Sequence, residues 1–242
     1  MPKVALVTGA ARRIGLAVAE HLGRHGYKIV IHCSAASLDE AKAASACMAK
    51  EKIDAAIVTG DLTDPAAPAD IIAAAGRPFG PLGLLVNSAA IFEDDSARAI
   101  DLEVFERQLA VNLRAPLLLA QHFATQLPQA AEGAVVNIID QRILRPSPQF
   151  FSYGISKAAL WAATQTMAQT FAPRIRVNGI GPGPVLPNDA EGEAGFAAEV
   201  AKLPLHHSVA PQDIAEAVLY LAEARSVTGQ LLAVDSGQHL AW

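Results

Sequence analysis

Tyr153 and Lys157 stand four residues apart in Tyr153-Gly154-Ile155-Ser156-Lys157. On a helix that spacing puts both side chains on one face. A phenol titrates near ~10 and is a poor acid or base at neutral pH. An ammonium beside it favours the phenolate and brings the phenol toward the working range. The pair therefore reads as an acid–base unit; in isolation an ordinary Tyr–Lys contact on a solvated face would read the same way. A second constellation, Thr8-Gly9-Ala10-Ala11-Arg12-Arg13-Ile14-Gly15, lies between an apolar run and a helical pattern. There Gly9 can make a tight turn and Gly15 can let the helix approach the strand. The free N–H groups of the helix N-terminus suit a pyrophosphate.

Strand-like and helix-like segments alternate along the chain and must position these groups. Strands are expected over 4–8, 28–32, 55–59, 82–86, 134–139, 174–180 and 231–234. Helices are expected over 13–25, 38–50, 65–75 (with a proline in its first turn), 153–171 and 214–224, with one or two more around Pro116 in 102–127. Apolar runs separated by helices imply βαβ units. The fold class expected is α/β: one domain over residues 1–242, a Rossmann-like, doubly wound parallel sheet of about seven strands with helices on both faces. The irregular stretch 181–204 carries Pro182, Pro184, Pro187 and Pro204. Its 184–205 portion reads as a substrate lid or, alternatively, as a surface excursion.

In such a sheet the glycine turn faces the carboxyl ends of the strands, where ligands bind. The tip of the second strand reads Ile31-His32-Cys33-Ser34-Ala35, with no acid before Asp39. A site for NAD(H) normally places an acid there for the ribose hydroxyl. Here a 2′-phosphate meets no repulsion, and Arg12 or Arg13 can attract it. The turn and the tip, His32 and Ser34 included, favour NADPH (NADP) as cofactor.

The ordered set of motifs resembles the short-chain dehydrogenase/reductase family over nearly the whole chain. The glycine turn is similar to that family's Thr-Gly-x-x-x-Gly-x-Gly signature, with Arg13 in place of the middle glycine. Asp61-Leu62 resembles the pair that touches adenine, and Asn87-Ser88-Ala89-Ala90 the segment after the fourth strand. Asn112 resembles the active-site asparagine, Tyr153 and Lys157 the Tyr-x-x-x-Lys pair, and Gly181-Pro182-Gly183 the turn behind the nicotinamide. The resemblance implies that Lys157 holds the nicotinamide ribose, that Asn87, Ala89 and Ile14 lie along the cofactor, and that Asn112 anchors a water leading from Lys157 to solvent. It also implies a homotetramer that packs the Asn112 and Tyr153 helices across an interface. Ala158, Ala159, Ala162 and Ala163 would permit the close approach, and Trp242 either packs on a neighbouring subunit or frays.

One departure narrows the reaction. Thirteen residues before the tyrosine, where most of the family has serine, this chain has Asp140. An ionised carboxylate opposes the alkoxide that forms from a ketone. A carboxyl hydrogen-bonded to a phenol can instead help protonate the nitrogen of a C=N bond. Asp140, Tyr153 and Lys157 together with Thr-Gly-Ala-x-x-Arg-x-Gly resemble the pteridine reductase branch, which includes bacterial dihydromonapterin and dihydrofolate reductases. Phe92 resembles the aromatic that stacks the pterin, Arg13 the arginine near phosphates and pterin, and Gln238-His239-Leu240 the branch's C-terminal segment. No ring anchor is recognisable on the lid. The expected activity is reduction of a C=N bond in a dihydropterin or dihydrofolate. A generic carbonyl or alcohol oxidoreductase, with Asp140 incidental, and an inactive cofactor-binding sensor or scaffold remain as alternatives.

Composition excludes other classes. Hydrophobic residues make up 52% and charged residues 18% of 242, too apolar for a disordered chain. A net charge of −5 disfavours a general nucleic-acid binder. No apolar run reaches the ~18 residues of a membrane span, and the N-terminus enters a strand without a signal peptide; a cytoplasmic location is expected. Cys33 and Cys47 are too few for a disulfide framework or a metal site and read as small buried apolar groups. His206 and His207 read as exposed loop residues, and Glu93-Asp94-Asp95 as a solvated acidic turn.

Overall fold

A computed structural model describes residues 1–187 and 192–240. Seven parallel strands form one sheet in the order β3-β2-β1-β4-β5-β6-β7. They are β1 (Val4–Val7), β2 (Lys28–Cys33), β3 (Ala55–Thr59), β4 (Leu84–Asn87), β5 (Gly133–Ile138), β6 (Ile175–Pro182) and β7 (Leu231–Val234). The chain winds outward from β1 to β3 and then returns to place β4 on the other side of β1. Ala5 lies between Ile29 of β2 and Leu84 of β4. That reversal of direction opens a crevice at the carboxyl ends of β1 and β4.

Both faces of the sheet are dry, which is why the strands read as unbroken apolar runs. Ala5 and Val7 face helices α1 (Arg13–Arg24), α2 (Leu38–Lys50) and α8 (Pro211–Glu223) through Val18, Leu22, Met48, Ile214 and Val218. Val4 and Leu6 face α3 (Ala67–Ala75), α5 (Ala115–Gln126) and α6 (Phe151–Phe171) through Ile71, Leu119, Phe123 and Ala168.

Two local readings, the start of α3 and the irregular stretch, are corrected, and the 102–127 segment holds two helices. Helix α3 begins at Ala67, with Pro68 rather than Pro65 in its first turn. The 102–127 segment divides into α4 (Leu102–Leu109) and α5, joined by a π-helical turn at Ala110–Arg114. Pro116 has no N–H to give the carbonyl of Asn112 four residues back, so regular α-helix is interrupted there. The stretch expected to be irregular contains helix α7 (Gly192–Val200), because Glu193, Ala194, Ala197, Ala198 and Glu199 are good helix formers between the flanking prolines. Residues 188–191 of the expected lid, and Trp242, lie outside the described residues. Cys33 is buried as expected, but Cys47 is exposed on α2.

Candidate active site

The crevice holds a cavity of about 580 Å³ lined from Arg12, Ser34 and Asp61 at one end to Phe92, Arg142 and Gln238 at the other. At its first end the glycine turn closes tightly. Gly9 has φ +65°, and a Cβ there would lie 2.9 Å from the Cα of Ala89. A Cβ on Gly15 would lie 2.4 Å from the Gly9 carbonyl, so only glycine lets α1 sit this close to the turn. Arg13, which replaces a glycine of the family signature, also has φ +54°, a left-handed conformation that disfavours a side chain. Its guanidinium donates to the Pro187 carbonyl at 3.5 Å, tying the turn to the start of the lid segment. Arg12 lies 3.7 Å from Glu40 at the surface.

His32 ties β2 to this turn. Its Nδ1 accepts from Gly9 N–H at 3.4 Å, which leaves Nε2 to donate to the Gly60 carbonyl at 3.3 Å. Burial lowers its pKa from 6.5 to about 4, so the ring lining the cavity is neutral near pH 7. Asp61 accepts from Thr63 N–H and Oγ1 at 2.9 and 2.8 Å, and these bonds hold its carboxyl below the usual range.

The other end of the cavity rests on the first turns of α6. Tyr153 and Lys157 are both buried. Tyr153 donates its O–H to Asp140 Oδ2 at 2.9 Å, and Lys157 Nζ donates to the Ile138 carbonyl at 2.8 Å. Asp140 follows β5; its Oδ1 accepts from Arg142 N–H at 2.7 Å, and the Arg142 guanidinium lies 3.7 Å from Oδ2. The Arg142 guanidinium also lies 5.3 Å from the rings of Phe92 and Phe150. Those rings stack at 4.1 Å, and Phe92 meets Tyr153 edge-on at 4.6 Å. One face of Phe92 is therefore taken by Phe150, and a bound ring has at most the other.

The electrostatics differ from the expectation of a phenol brought down by its lysine. Burial and the Asp140 carboxylate push the Tyr153 phenol well above 10. Burial pushes Asp140 up, against the opposing pull of Arg142. Burial also brings Lys157 down to about 8, partly offset by Asp140. The resting pair is a phenol donating to a carboxylate, with the proton on the tyrosine.

The turn 93–95 is not a merely solvated acidic one. Asp95 accepts from Ser152 N–H at 2.8 Å and from Ser152 Oγ; Asp94 accepts from Phe150 N–H at 3.2 Å; Glu93 pairs with Arg107. Asp95, three residues on from Phe92, thus satisfies the free N-terminus of α6. His206 and His207 are exposed, as expected.

Sixteen of the eighteen residues expected to act in catalysis or to bind cofactor or substrate line the cavity together: Gly9, Arg12, Arg13, Ile14, Gly15, His32, Ser34, Asp61, Leu62, Ala89, Phe92, Asp140, Tyr153, Lys157, Pro182 and Gly183. Two do not. Asn87 is buried at the end of β4; its Nδ2 donates to Asn137 Oδ1 at 2.8 Å, and its Oδ1 has no partner among the described residues. Asn112, in the π turn, accepts from Ile91 N–H at 2.8 Å and donates to the Ile91 carbonyl and Ser156 Oγ at 2.9 and 3.2 Å. Its amide clamps the residue before Phe92. The sequence reading missed Arg142, Phe150, Phe196 and Glu199. Arg142, two residues from Asp140, was the one with an available signal.

A family model described as enoyl-(acyl carrier protein) reductase matches residues 9–239. The solved structure of FolM alternative dihydrofolate reductase 1 from Brucella canis, complexed with NADP, is 45% identical to this chain. It superposes with a TM-score of 0.95, covering 99% of this chain and 94% of that one. Galactitol 2-dehydrogenase of Agrobacterium fabrum is 33% identical over 99% of this chain and 98% of its own length. The short-chain type dehydrogenase/reductase of Picea abies is 30% identical over 98% of this chain and 92% of its own length. With a match of this extent and its Tyr-x-x-x-Lys pair beside a glycine turn, the chain belongs to the short-chain dehydrogenase/reductase family of oxidoreductases.

Proposed function

We propose that the protein is an NADPH-dependent reductase of a C=N bond in a pteridine-like ring, a dihydropterin or dihydrofolate. The observation that carries this reading is the Tyr153 O–H donated to a nearly buried Asp140 at the end of a cofactor-sized cavity. The likeness to the Brucella canis dihydrofolate reductase supports it.

The residues fit the cofactor. The close contacts of Gly9 with Ala89 and of Gly15 with the Gly9 carbonyl hold the α1 N-terminus tight against the turn at the cavity edge. Arg12 and Arg13 supply positive charge near the strand-two tip, and Lys157 supplies a buried donor for ribose hydroxyls. NADPH, when bound, supplies the hydride that reaches the ring carbon. The chain supplies the proton and the orientation. Phe92 offers a face to the ring. Tyr153 gives its proton to the ring nitrogen, and Asp140, whose proton affinity is raised by burial, then takes up a proton from solvent and passes it to the phenolate. The net change is one hydride and one proton added across C=N. Asn112 acts as a positioning residue, holding Ile91 and hence the start of the Phe92 loop.

The same reading treats 184–205 as a lid, since Pro184, Val185, Leu186 and Phe196 line the cavity. It also has the chain assembling as a homotetramer in the cytoplasm, with Ile155, Ala158 and Ala162 exposed on the outer face of α6. Among the described residues no helix is long and apolar enough to cross a membrane. The test is NADPH oxidation with dihydropterin and dihydrofolate beside a panel of small ketones and polyols. Pterin-dependent oxidation is expected. Turnover of ketones alone would make Asp140 incidental and replace this reading with a generic carbonyl reductase.

A further inference from the structure

The far end of the cavity contains a second carboxylate that the proton-transfer chemistry does not use. Glu199 sits three residues after Phe196 on α7, so the two share a face, and both line the cavity. The two acids of the cavity's substrate end have different partners. Asp140 has a guanidinium, a backbone N–H and a phenol. Glu199 has one hydrogen-bond partner among the described residues, the neutral Gln238 amide, which donates to Oε1 at 2.6 Å.

Gln238 is itself held in place. Asp235 Oδ1 accepts from Gly237 N–H at 3.0 Å, and Oδ2 accepts from His239 N–H at 2.8 Å and faces His239 Nδ1 at 2.6 Å. The C-terminal turn Gln238–Leu240 packs against the Gln141–Ile143 turn that follows Asp140. The second carboxylate is therefore fixed on the same end of the cavity as Arg142 and Phe92. Each carboxylate oxygen has two acceptor sites, so the Gln238 bond leaves Glu199 free to accept from a ligand through both oxygens.

A half-buried carboxylate, oriented by a neutral amide, facing a cavity and with no cation paired to it among the described residues, matches a ligand that brings paired N–H donors. We infer that Glu199, positioned by Gln238, is a specificity-determining residue that receives the 2-amino group and adjacent ring N–H of the substrate's pyrimidine edge. This inference rests on the pteridine reading above and adds to it the orientation of the ring, with the donor edge toward α7 and the reducible C=N toward Tyr153.

The test compares 7,8-dihydropterin with 7,8-dihydrolumazine, which carries a 2-oxo group in place of the 2-amino donor, in wild type, Glu199→Gln and Gln238→Ala. Oxidised pterin and lumazine binding to the enzyme–NADP complex, followed by ligand fluorescence, gives a readout independent of turnover. Wild type is expected to prefer the amino compounds. Glu199→Gln should lose about 10- to 100-fold in kcat/KM and in pterin affinity, the range expected for a hydrogen bond to a charged group. It should keep NADPH affinity and thermal stability, and bring the two ring systems close to parity. Gln238→Ala should move the same way by less. Unchanged discrimination in Glu199→Gln, with wild-type pterin turnover intact, overturns the inference and leaves the reductase reading standing. Glu199-dependent pterin binding without pterin turnover overturns the reductase reading and supports the recognition. Equal binding of pterin and lumazine by wild type overturns the inference whatever the turnover.

Discussion

Replacing Asp140 by Asn tests the proton arrangement directly. The substitution keeps the size of the side chain and a polar partner for Tyr153, but removes the charge that accepts the phenol at 2.9 Å. Two unit charges about 4 Å apart repel by about 4 kcal/mol at an effective dielectric near 20. At 1.36 kcal/mol per pH unit that corresponds to an upper limit of about three units for the Tyr153 phenol. The groups facing this site are Tyr153, Lys157 and Arg142, and the sign is the same for both that titrate. Asp140 raises Tyr153 and raises Lys157 against the burial that brings it to about 8. Without the carboxylate both lose their protons at lower pH, so the alkaline limb of kcat/KM for dihydropterin reduction moves down. The maximal rate also falls, by about 10²- to 10⁴-fold, as the relay that refills the phenol is lost. The assay is the pH profile of dihydropterin-dependent NADPH oxidation, with tyrosinate followed by ultraviolet difference absorption. An alkaline limb that stays in place or moves up, or a rate equal to wild type, would refute the assignment of Asp140 as partner in the proton transfer.

Two further predictions concern the frame around the site. His32 has a folded pKa of about 4 against 6.5 when unfolded. Between these values the unfolded chain binds the extra proton, so stability is fully present above about pH 6.5. It declines by on the order of 3 kcal/mol as the pH falls toward 4. Urea titrations across that range should show the decline in wild type and a flatter profile in His32→Gln, and parallel profiles would remove His32 as the cause. Asp95→Ala should destabilise the protein by about 1–2 kcal/mol by leaving the α6 N-terminus without its carboxylate. Asp95→Asn, an equally good cap, should recover most of that in denaturant unfolding; equal losses in both variants would mean that the negative charge, not the cap, matters.

The sequence was most informative where a backbone requirement or a fixed spacing shows in residue type. Gly9 and Gly15 stand where any Cβ would collide. Tyr153 and Lys157 share a helix face at a spacing of four, and position 140 is read by counting back from the tyrosine. It was least informative where the outcome depends on a partner distant in the chain. Asn87 was expected along the cofactor; that its Nδ2 is given to Asn137, fifty residues on and directly beside it in register on β5, has no local signature. The phenol was expected to be brought down by Lys157, yet burial and Asp140 decide its pKa, and burial is not written in a tetrad of residues. Asp95 caps a helix that begins 56 residues later, so its role has no local signature. Helix α7 was hidden by the prolines around it, and with it Glu199.

The fold cannot choose the substrate. Galactitol 2-dehydrogenase is 33% identical to this chain over nearly its whole length, and the same scaffold serves unrelated chemistry through a few grafted groups. What distinguishes this site is the state in which its acid is held. A tyrosine that loses its proton readily serves as a base and favours oxidation of an alcohol. Here burial and Asp140 act in the same direction and keep Tyr153 protonated, which suits a reaction that must deliver a proton. Arg142 keeps this arrangement within limits. It lies against Asp140 and beside the Phe92–Phe150 stack, so it restrains the carboxylate from rising further and joins the proton store to the aromatic wall on which a ring would lie. Reduction of a flat nitrogen heterocycle uses both halves of that cluster, the proton and the face; reduction of a small ketone uses neither the aromatic face nor the second carboxylate at position 199.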